Sequence, residues 1–110
     1  MGKAEALKDV HAAIASNKVL VYSKSSCSFC KKAKEALNQF LTPEQYTVIE
    51  IDKNPDLISV MEALLEITGN HTVPRVFING RFLGGGDDTA KAAADGSLKK
   101  LLVDAGVLED

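Results

Sequence analysis

The stretch KVLVYSKSSCSFC, residues 18–30, is the part of the sequence that decides the fold. It opens with a short apolar and β-branched run over 18–22, which is typical of a buried strand. It closes with Cys27 and Cys30 in a C-x-x-C spacing, and apolar residues at helical spacing follow as far as Leu41. The sequence therefore predicts a cysteine pair at the point where a buried strand leads into a helix.

The elements predicted outward from this stretch follow the order αβαβαββα. The strands are predicted at 18–22, 46–51, 75–78 and 81–83, and helices precede the first strand, follow the cysteines, run from an Asn54 cap to Gly69, and follow residue 84 with an interruption at Gly96. Asn79-Gly80 is the strongest two-residue hairpin signal. Strands joined through a helix are expected to be parallel, and a hairpin is antiparallel. The sequence thus predicts an α/β fold with a mixed four-stranded sheet flanked by helices.

The length and charge of the chain limit its organisation and its partners. With 110 residues, 45% of them hydrophobic, it suits one domain over residues 1–110. A net charge of −2 predicts no affinity for nucleic acid or for membranes. Residues 1–18 lack the apolar core of a secretory signal, and no apolar run reaches the length of a membrane span. We therefore expect a cytoplasmic protein, with an organelle as the alternative if a targeting segment has been removed from a longer precursor.

The two cysteines are expected to be reactive rather than structural. A ring this short removes little entropy from the unfolded chain, so a disulfide would stabilise the fold weakly. Cys27 falls at the predicted start of a helix, where unpaired N–H groups and the helix dipole favour an anion. Lys24, Lys31 and Lys32 add positive charge nearby, and the thiolate is the attacking form of cysteine. Cys30 lies three residues further in, where it can resolve a mixed disulfide on Cys27.

A zinc site is the alternative that the residues themselves raise. His11 and His71 would have to complete a Cys2His2 set with the two cysteines. Their spacing matches no zinc-binding pattern, so the residues favour thiol chemistry over metal binding.

Three blocks of the sequence, in this order and spacing, resemble glutaredoxins, a family within the thioredoxin-fold superfamily. The blocks are KSSCSFC at 24–30, TVPRVFI at 72–78 and GGGDD at 84–88, and the resemblance extends from about residue 19 to residue 102. It implies a thioredoxin-like fold and a glutathione-dependent thiol–disulfide oxidoreductase. Such an enzyme reduces protein–glutathione mixed disulfides and small or protein disulfides, with Cys27 as nucleophile and Cys30 as resolving thiol.

The resemblance also implies partners and a binding site. The partners would be glutathione, glutathionylated or disulfide-containing proteins and, through glutathione, glutathione reductase. In such a site Lys24 would attract the glycine carboxylate of glutathione. Val73, before a cis Pro74, would offer its backbone to the cysteinyl moiety as an added strand does. The matching positions for glutathione are Lys24, Phe29, Thr72, Val73, Pro74, Gly85, Gly86, Asp87 and Asp88; the glycines and aspartates would hold the γ-glutamyl end at a helix start.

Two positions are assigned with a qualification. Phe29 is expected to pack near the site rather than to stack on a bound group. Met61 stands where many glutaredoxins carry a polar Gln or Arg that helps to bind glutathione, so binding would rest more heavily on Lys24.

Two alternatives to this assignment come from related proteins. Thioredoxins place Trp before the cysteine pair and Gly-Pro inside it, whereas this chain has no Trp and carries Ser28-Phe29 between its cysteines. Most dithiol glutaredoxins have Pro-Tyr there, and relatives with Ser-Tyr form a dimer that holds a [2Fe–2S] cluster through the first cysteine of each chain and two glutathiones. Ser28 removes the stiffness of a proline. The second prediction is therefore that Cys27 ligates such a cluster in a dimer, while the chain without a cluster is a monomer.

Overall fold

The computed structural model describes residues 2–109 of the chain, so residues 1 and 110, the limits of the predicted domain, lie outside the described part. Five helices and four strands make up its regular structure. In chain order they are α1 (Lys3–Ser16), β1 (Val19–Ser23), α2 (Ser28–Asn38), β2 (Thr47–Glu50), α3 (Leu57–Thr68), β3 (Arg75–Ile78), β4 (Arg81–Gly84), α4 (Gly86–Asp95) and α5 (Ser97–Asp104). Two short 3₁₀ turns flank β2, at Pro43–Gln45 and Ile51–Lys53.

The four strands form one mixed sheet in the order β2-β1-β3-β4. The pair β1–β2 is parallel, and β1–β3 and β3–β4 are antiparallel. Asn79 and Gly80 both have positive φ, at 52° and 84°, as a type I′ hairpin turn between β3 and β4 requires. The predicted mixed four-stranded sheet is confirmed.

The sheet separates two apolar cores. On one face α1 and α3 pack over Leu20, Tyr22 and Phe77; on the other face α2, α4 and α5 pack over the alternate residues of β1 and β3. All five residues of β1 are buried, because this central strand has a helical layer on both sides. The thioredoxin-like arrangement of helices on both faces of the sheet is therefore as predicted.

The beginning of α3 corrects one sequence prediction. The Asn54-Pro55-Asp56 segment predicts a helix capped by Asn54, but α3 begins at Leu57 with Asp56 at the cap position. The reason is that residues 51–53 form a 3₁₀ turn and the Asn54 side-chain oxygen accepts the backbone N–H of Asp56 at 2.8 Å. Asn54 therefore makes a local turn that precedes the helix.

Two predicted helix boundaries are confirmed, and the end of the helix after the cysteines comes earlier than predicted. Gly69 ends α3 with a φ of 85°, and Gly96, with a φ of 88°, separates α4 from α5 where the sequence predicts an interruption. The apolar stripe after the cysteines extends to a buried Leu41, although α2 itself ends at Asn38. Leu41 still joins the core because its backbone N–H continues the turn by bonding to the Leu37 carbonyl at 2.9 Å.

Candidate active site

The fold places Cys27 directly at the N-terminus of α2. Cys27 is the N-cap residue, and its sulfur accepts the backbone N–H of Cys30 at 3.2 Å. A sulfur in this position receives one of the N–H groups that the first helical turn leaves unpaired, and the helix dipole favours negative charge there. The Cys27 thiol also lies 3.9 Å from the carbonyl oxygen of Val73, toward which its S–H points. Cys27 thus accepts a backbone N–H at the start of α2 and faces the Val73 carbonyl oxygen across the site.

Cys30 has a different environment from Cys27. Its side chain is 1% exposed, whereas Cys27 is partly exposed, and both thiols are free. Burial raises the pKa of the Cys30 thiol, and the hydrogen bond with Cys27 acts in the same direction. Cys30 is consequently held as a neutral thiol beneath the partly exposed Cys27.

Two adjoining surface grooves surround the cysteine pair, and we name them by their contents. The cysteine groove, of about 420 Å³, is lined by Lys24, Ser26, Cys27, Ser28, Met61, His71, Thr72 and Val73. The aspartate groove, of about 390 Å³, is lined by Phe29, Thr72, Val73, Pro74, Arg75, Gly85, Gly86, Asp87 and Asp88. Thr72 and Val73 line both, so the two grooves form one continuous surface. Each has a volume within the range of small-ligand sites.

All nine residues assigned to glutathione from the sequence line one of these grooves. They come from the loop before α2, the start of α2, the segment before β3 and the start of α4, which lie far apart in the chain. Of the two cysteines, Cys27 lines a groove and Cys30 lies beneath it. The structure thus brings together every residue that the sequence assigns to the site.

The segment before β3 is the wall that the two grooves share. The peptide bond between Val73 and Pro74 is cis, as the resemblance implies. Thr72 is anchored on both sides, because its N–H bonds to the Asn70 side chain at 3.2 Å and its carbonyl oxygen accepts the Arg75 Nε–H at 2.7 Å. The backbone of this wall is therefore held by hydrogen bonds to the side chains of Asn70 and Arg75.

The start of α4 forms the opposite wall of the aspartate groove. Asp88 closes the first turn by accepting the Gly85 N–H at 3.0 Å. Gly86 packs so closely on the start of α2 that a Cβ at this position would lie 2.5 Å from the Phe29 carbonyl oxygen. Asp87 is exposed and pairs with Lys32 of α2 at 2.6 Å. Gly86 is thus required for the close contact between the two helix starts.

Three further positions complete the comparison with the sequence. Phe29 is 53% exposed beside the aspartate groove, so it packs at the rim and is not covered by other side chains. Met61 packs against the core beneath α1 and α3 and also lines the cysteine groove, so it belongs to both. Lys24 is half-buried in the cysteine groove.

Two residues at the site are not found by sequence reasoning. Arg75 lines the aspartate groove, and the signal for it is a charged residue at the first position of a strand whose other three residues are buried. Asp52 accepts the backbone N–H of Ser25 at 3.1 Å and thereby holds the loop that carries Lys24. It lies in a 3₁₀ turn 27 residues along the chain, and the sequence carries no signal for this contact.

Metal ligands do not cluster in the part of the chain that the structure describes. Among residues 2–109 no group of three or more His, Cys, Asp and Glu side chains is arranged to hold a metal ion. Over the same residues, no helix combines the length and apolar character that a membrane crossing needs.

Comparison with known proteins gives a consistent family. A family model described as Glutaredoxin matches residues 19–83. Glutaredoxin-C4 of Arabidopsis thaliana is 49% identical over 89 residues, which cover 81% of this chain and 64% of that relative. The chain thus spans just under two thirds of that relative's length. Two more distant relatives carry an organelle in their names: glutaredoxin-2, mitochondrial, of Rattus norvegicus (38% identical; 87% of this chain and 60% of that one) and glutaredoxin-C4, chloroplastic, of Oryza sativa (39% identical; 86% and 70%).

Solved structures give the same family. Oxidized glutaredoxin 2 from Chlamydomonas reinhardtii is 59% identical, with a TM-score of 0.96 and coverage of 98% of this chain and 100% of that one. A complex of buckwheat glutaredoxin with glutathione is 34% identical, with a TM-score of 0.89 and coverage of 96% and 94%. Both similarities extend over almost the whole of this chain.

Proposed function

The chain belongs to the glutaredoxin family, whose members are thiol–disulfide oxidoreductases, and we propose that it reduces protein–glutathione mixed disulfides, and small or protein disulfides, with glutathione as the electron donor. The observation that carries this proposal is the position of the Cys27 sulfur. It sits at a helix N-terminus, 3.9 Å from the Val73 carbonyl oxygen, at the edge of two joined grooves. The buckwheat relative forms a complex with glutathione, which supports glutathione as the ligand of these grooves.

The proposed cycle begins at the Cys27 thiolate. It attacks the glutathione sulfur of a mixed disulfide; the protein thiolate leaves and takes up a proton, and Cys27 carries glutathione through a new disulfide. The thiolate of a second glutathione then attacks the glutathione sulfur on Cys27, which releases glutathione disulfide and regenerates the Cys27 thiolate. Glutathione reductase and NADPH reduce the glutathione disulfide outside this protein.

Protein disulfides follow a second route that also uses Cys30. Cys27 attacks one sulfur and forms a mixed disulfide with the substrate protein. The Cys30 thiol then loses its proton and attacks the Cys27 sulfur, which forms the Cys27–Cys30 disulfide and releases the reduced substrate. Two glutathione molecules reduce this disulfide. The burial of Cys30 supports a resolving role, because a shielded neutral thiol does not compete for the first substrate.

The proposed glutathione contacts follow the two grooves. In the cysteine groove Lys24 would attract the glycine carboxylate, and the main chain of Val73 would hold the cysteinyl moiety next to the Cys27 sulfur. In the aspartate groove the N–H groups at the start of α4 would receive the γ-glutamyl carboxylate. Asp87 and Asp88 would then lie beside the α-amino group.

The test is an assay of NADPH consumption, coupled through glutathione and glutathione reductase, on a glutathionylated peptide. We expect turnover by the unmodified protein and by Cys30→Ser, and none by Cys27→Ser. The two serine variants are matched controls, since each removes one sulfur from the same pair. Loss of turnover in Cys30→Ser would contradict the one-cysteine route, and no turnover by the unmodified protein would contradict the function.

A second candidate function is that of a [2Fe–2S] carrier. It is favoured by Ser28 at the first position of α2, where a proline would stiffen the backbone beside the partly exposed Cys27. The cluster would be shared by the Cys27 thiolates of two chains and two glutathiones. Anaerobic reconstitution with iron, sulfide and glutathione tests it: a coloured dimer that Cys27→Ser does not form supports this function, and a colourless monomer contradicts it.

The compartment and oligomeric state are part of the same proposal. We propose a cytoplasmic monomer without a cluster, and the relatives named for mitochondria and chloroplasts make an organelle the alternative. A fluorescent fusion to the complete gene product locates the protein, and sedimentation of the reduced protein gives its mass.

A further inference from the structure

Arg75, the first residue of β3, makes several side-chain contacts. Its Nε–H donates to the Thr72 carbonyl oxygen at 2.7 Å, and its Nη2 donates to the Thr72 hydroxyl at 3.1 Å. A guanidinium presents its donors in a rigid fork, so two bonds to one residue fix both the distance and the orientation of that residue. Arg75 thus holds Thr72, its neighbour across Val73 and Pro74, from the other side of the cis peptide bond.

The guanidinium is itself held in place. It lies over the ring of Phe82, 5.0 Å from the ring centroid, in a cation–π contact with β4. Its Nη2 approaches the start of α4 so closely that a Cβ on Gly85 would be 3.7 Å away. The carboxylate of Asp88 acts on it electrostatically, opposing the effect of burial, which lowers the pKa of Arg75. Arg75 therefore connects the start of α4 with the wall that the two grooves share.

From these contacts we propose that Arg75 is a positioning residue, which fixes the Thr72–Val73 peptide so that the main chain of Val73 is presented to glutathione beside the Cys27 sulfur. The inference rests on the proposed function and deepens it. The Val73 carbonyl oxygen lies 3.9 Å from the Cys27 sulfur. The alignment of the Val73 backbone with an extended ligand depends on the peptide before it, and that peptide has Arg75 as a fork-like anchor.

The position of Arg75 separates this role from a catalytic one. Arg75 lines the aspartate groove and does not line the cysteine groove, where the reacting sulfur lies. Its loss should therefore weaken the binding of glutathione without slowing attack by Cys27. Without the Arg75–Thr72 bonds, glutathione would have to order the Thr72–Val73 peptide as it binds, and fixing the backbone of one residue changes a binding constant about tenfold.

The test compares Arg75→Met and Arg75→Lys with the unmodified protein in the glutathione-coupled assay. We expect Arg75→Met to raise KM for glutathione about tenfold, with kcat and the rate of Cys27 alkylation by iodoacetamide changed by less than about twofold. Arg75→Lys keeps the charge but cannot make both bonds to Thr72, so its KM for glutathione should lie between those of the unmodified protein and Arg75→Met. If Arg75→Met does not fold, a raised KM in Arg75→Lys decides the matter.

Arg81→Met is the matched control, because Arg81 is an exposed arginine of the same hairpin that lines neither groove. We expect its KM to stay within about twofold of the unmodified value. An unchanged KM in Arg75→Met and Arg75→Lys would overturn the inference. The inference would also be overturned if kcat and the alkylation rate of Arg75→Met fell by the same factor and its melting temperature fell with them. That pattern would mean that Arg75 has a purely structural role. If the unmodified protein shows no glutathione-dependent turnover, the proposed function fails instead.

Discussion

The Cys27 sulfur accepts the backbone N–H of Cys30 at 3.2 Å, yet the thiols of these two residues lie in opposite environments. Cys27 caps a helix and reaches the cysteine groove, whereas Cys30 is 1% exposed in the interior. The helix cap contributes to this asymmetry, since Cys27 is outside the first turn and Cys30 is within it, and packing of the fold over Cys30 adds the rest. The predictions that follow test this asymmetry and the contacts that surround it.

The two cysteines should differ in their reaction with iodoacetamide. We expect one equivalent at neutral pH to modify Cys27 almost exclusively, because Cys30 is buried and its pKa is raised. The ordinary pKa of the Cys30 thiol is 9.0, and modification of Cys30 should increase only as the pH rises above this value. Fragmentation of the tryptic peptide that contains both residues identifies the modified sulfur. Equal rates at the two cysteines near neutral pH would contradict the predicted order.

Gly86 should be intolerant of a side chain. A methyl group there would lie 2.5 Å from the Phe29 carbonyl oxygen, so Gly86→Ala must push α4 away from the start of α2. We expect a loss of about 2 kcal/mol in the free energy of unfolding, the usual scale for overpacking. Urea denaturation measures it.

Gly85→Ala is the matched control for Gly86→Ala. Its methyl group would lie 3.6 Å from the Pro74 carbonyl oxygen, which is ordinary van der Waals contact. The remaining cost, of alanine at a helix cap, should be less than about 1 kcal/mol. A larger loss in Gly85→Ala than in Gly86→Ala would be inconsistent with the packing described.

Tyr22 should make the fold sensitive to alkaline pH. Burial, together with the nearby charge of Asp9, raises the pKa of Tyr22 from 10.0 to about 12. The unfolded chain therefore releases this proton first, so the stabilisation is complete below pH 10 and is lost as the pH rises toward 12. We expect the loss to reach about 1 kcal/mol by pH 11.

Urea denaturation at pH 8 and pH 11 measures the effect of Tyr22, with Tyr22→Phe as the comparison. The phenylalanine keeps the ring and has no proton to release, so this variant should lose less stability between the two pH values. The same loss in both proteins would show that another group is responsible.

Asp52 should contribute a pH-dependent part of the stability at the acidic end. Hydrogen bonds from the Ser25 side chain and backbone hold the pKa of Asp52 below its ordinary value of 3.8. Because the pKa is lowered on folding, this stabilisation is present above pH 4 and is lost as the pH falls further. Asp52→Ala should therefore differ most from the unmodified protein near pH 6 and least near pH 2.

Thermal denaturation across pH 2–6 measures this contribution, and Ser25→Ala is the matched variant because it removes the hydroxyl donor. We expect Ser25→Ala to show part of the same change. If Asp52→Ala and the unmodified protein keep a constant difference at all pH values, the carboxylate of Asp52 does not interact with Ser25 as described.

The fold could be predicted from the sequence wherever a local pattern specifies it. The buried run before Cys27, the Asn79-Gly80 turn and Gly69 each act through neighbouring residues, and each is found where predicted. The start of α3 was predicted wrongly because Asn54 can cap a helix or close a turn with its own backbone. The choice between them depends on the 3₁₀ turn before it, which is a feature of the tertiary fold.

The candidate site can be predicted from the sequence only as three separate segments, at 24–30, 72–78 and 84–88, that resemble a known family. The sequence predicts which residues meet, since a resemblance to a family carries their arrangement, and the structure places all of them along two joined grooves. It does not predict Arg75 and Asp52 as parts of the site. Their contacts join segments that are separated by a cis peptide bond or by many residues, and no local pattern encodes such contacts.

The sequence by itself determined the order of the elements and the placement of Cys27 ahead of Cys30 at the start of a helix, because these follow from periodicity and spacing along one chain. Its resemblance to known proteins in three blocks indicated the family. Only the tertiary structure decided how completely Cys30 is buried, that Gly86 must lack a side chain and that Arg75 hydrogen-bonds to Thr72. The physical reason is that burial and close approach are properties of surfaces brought together from distant segments. Such surfaces exist only once the sheet has set the positions of its helices.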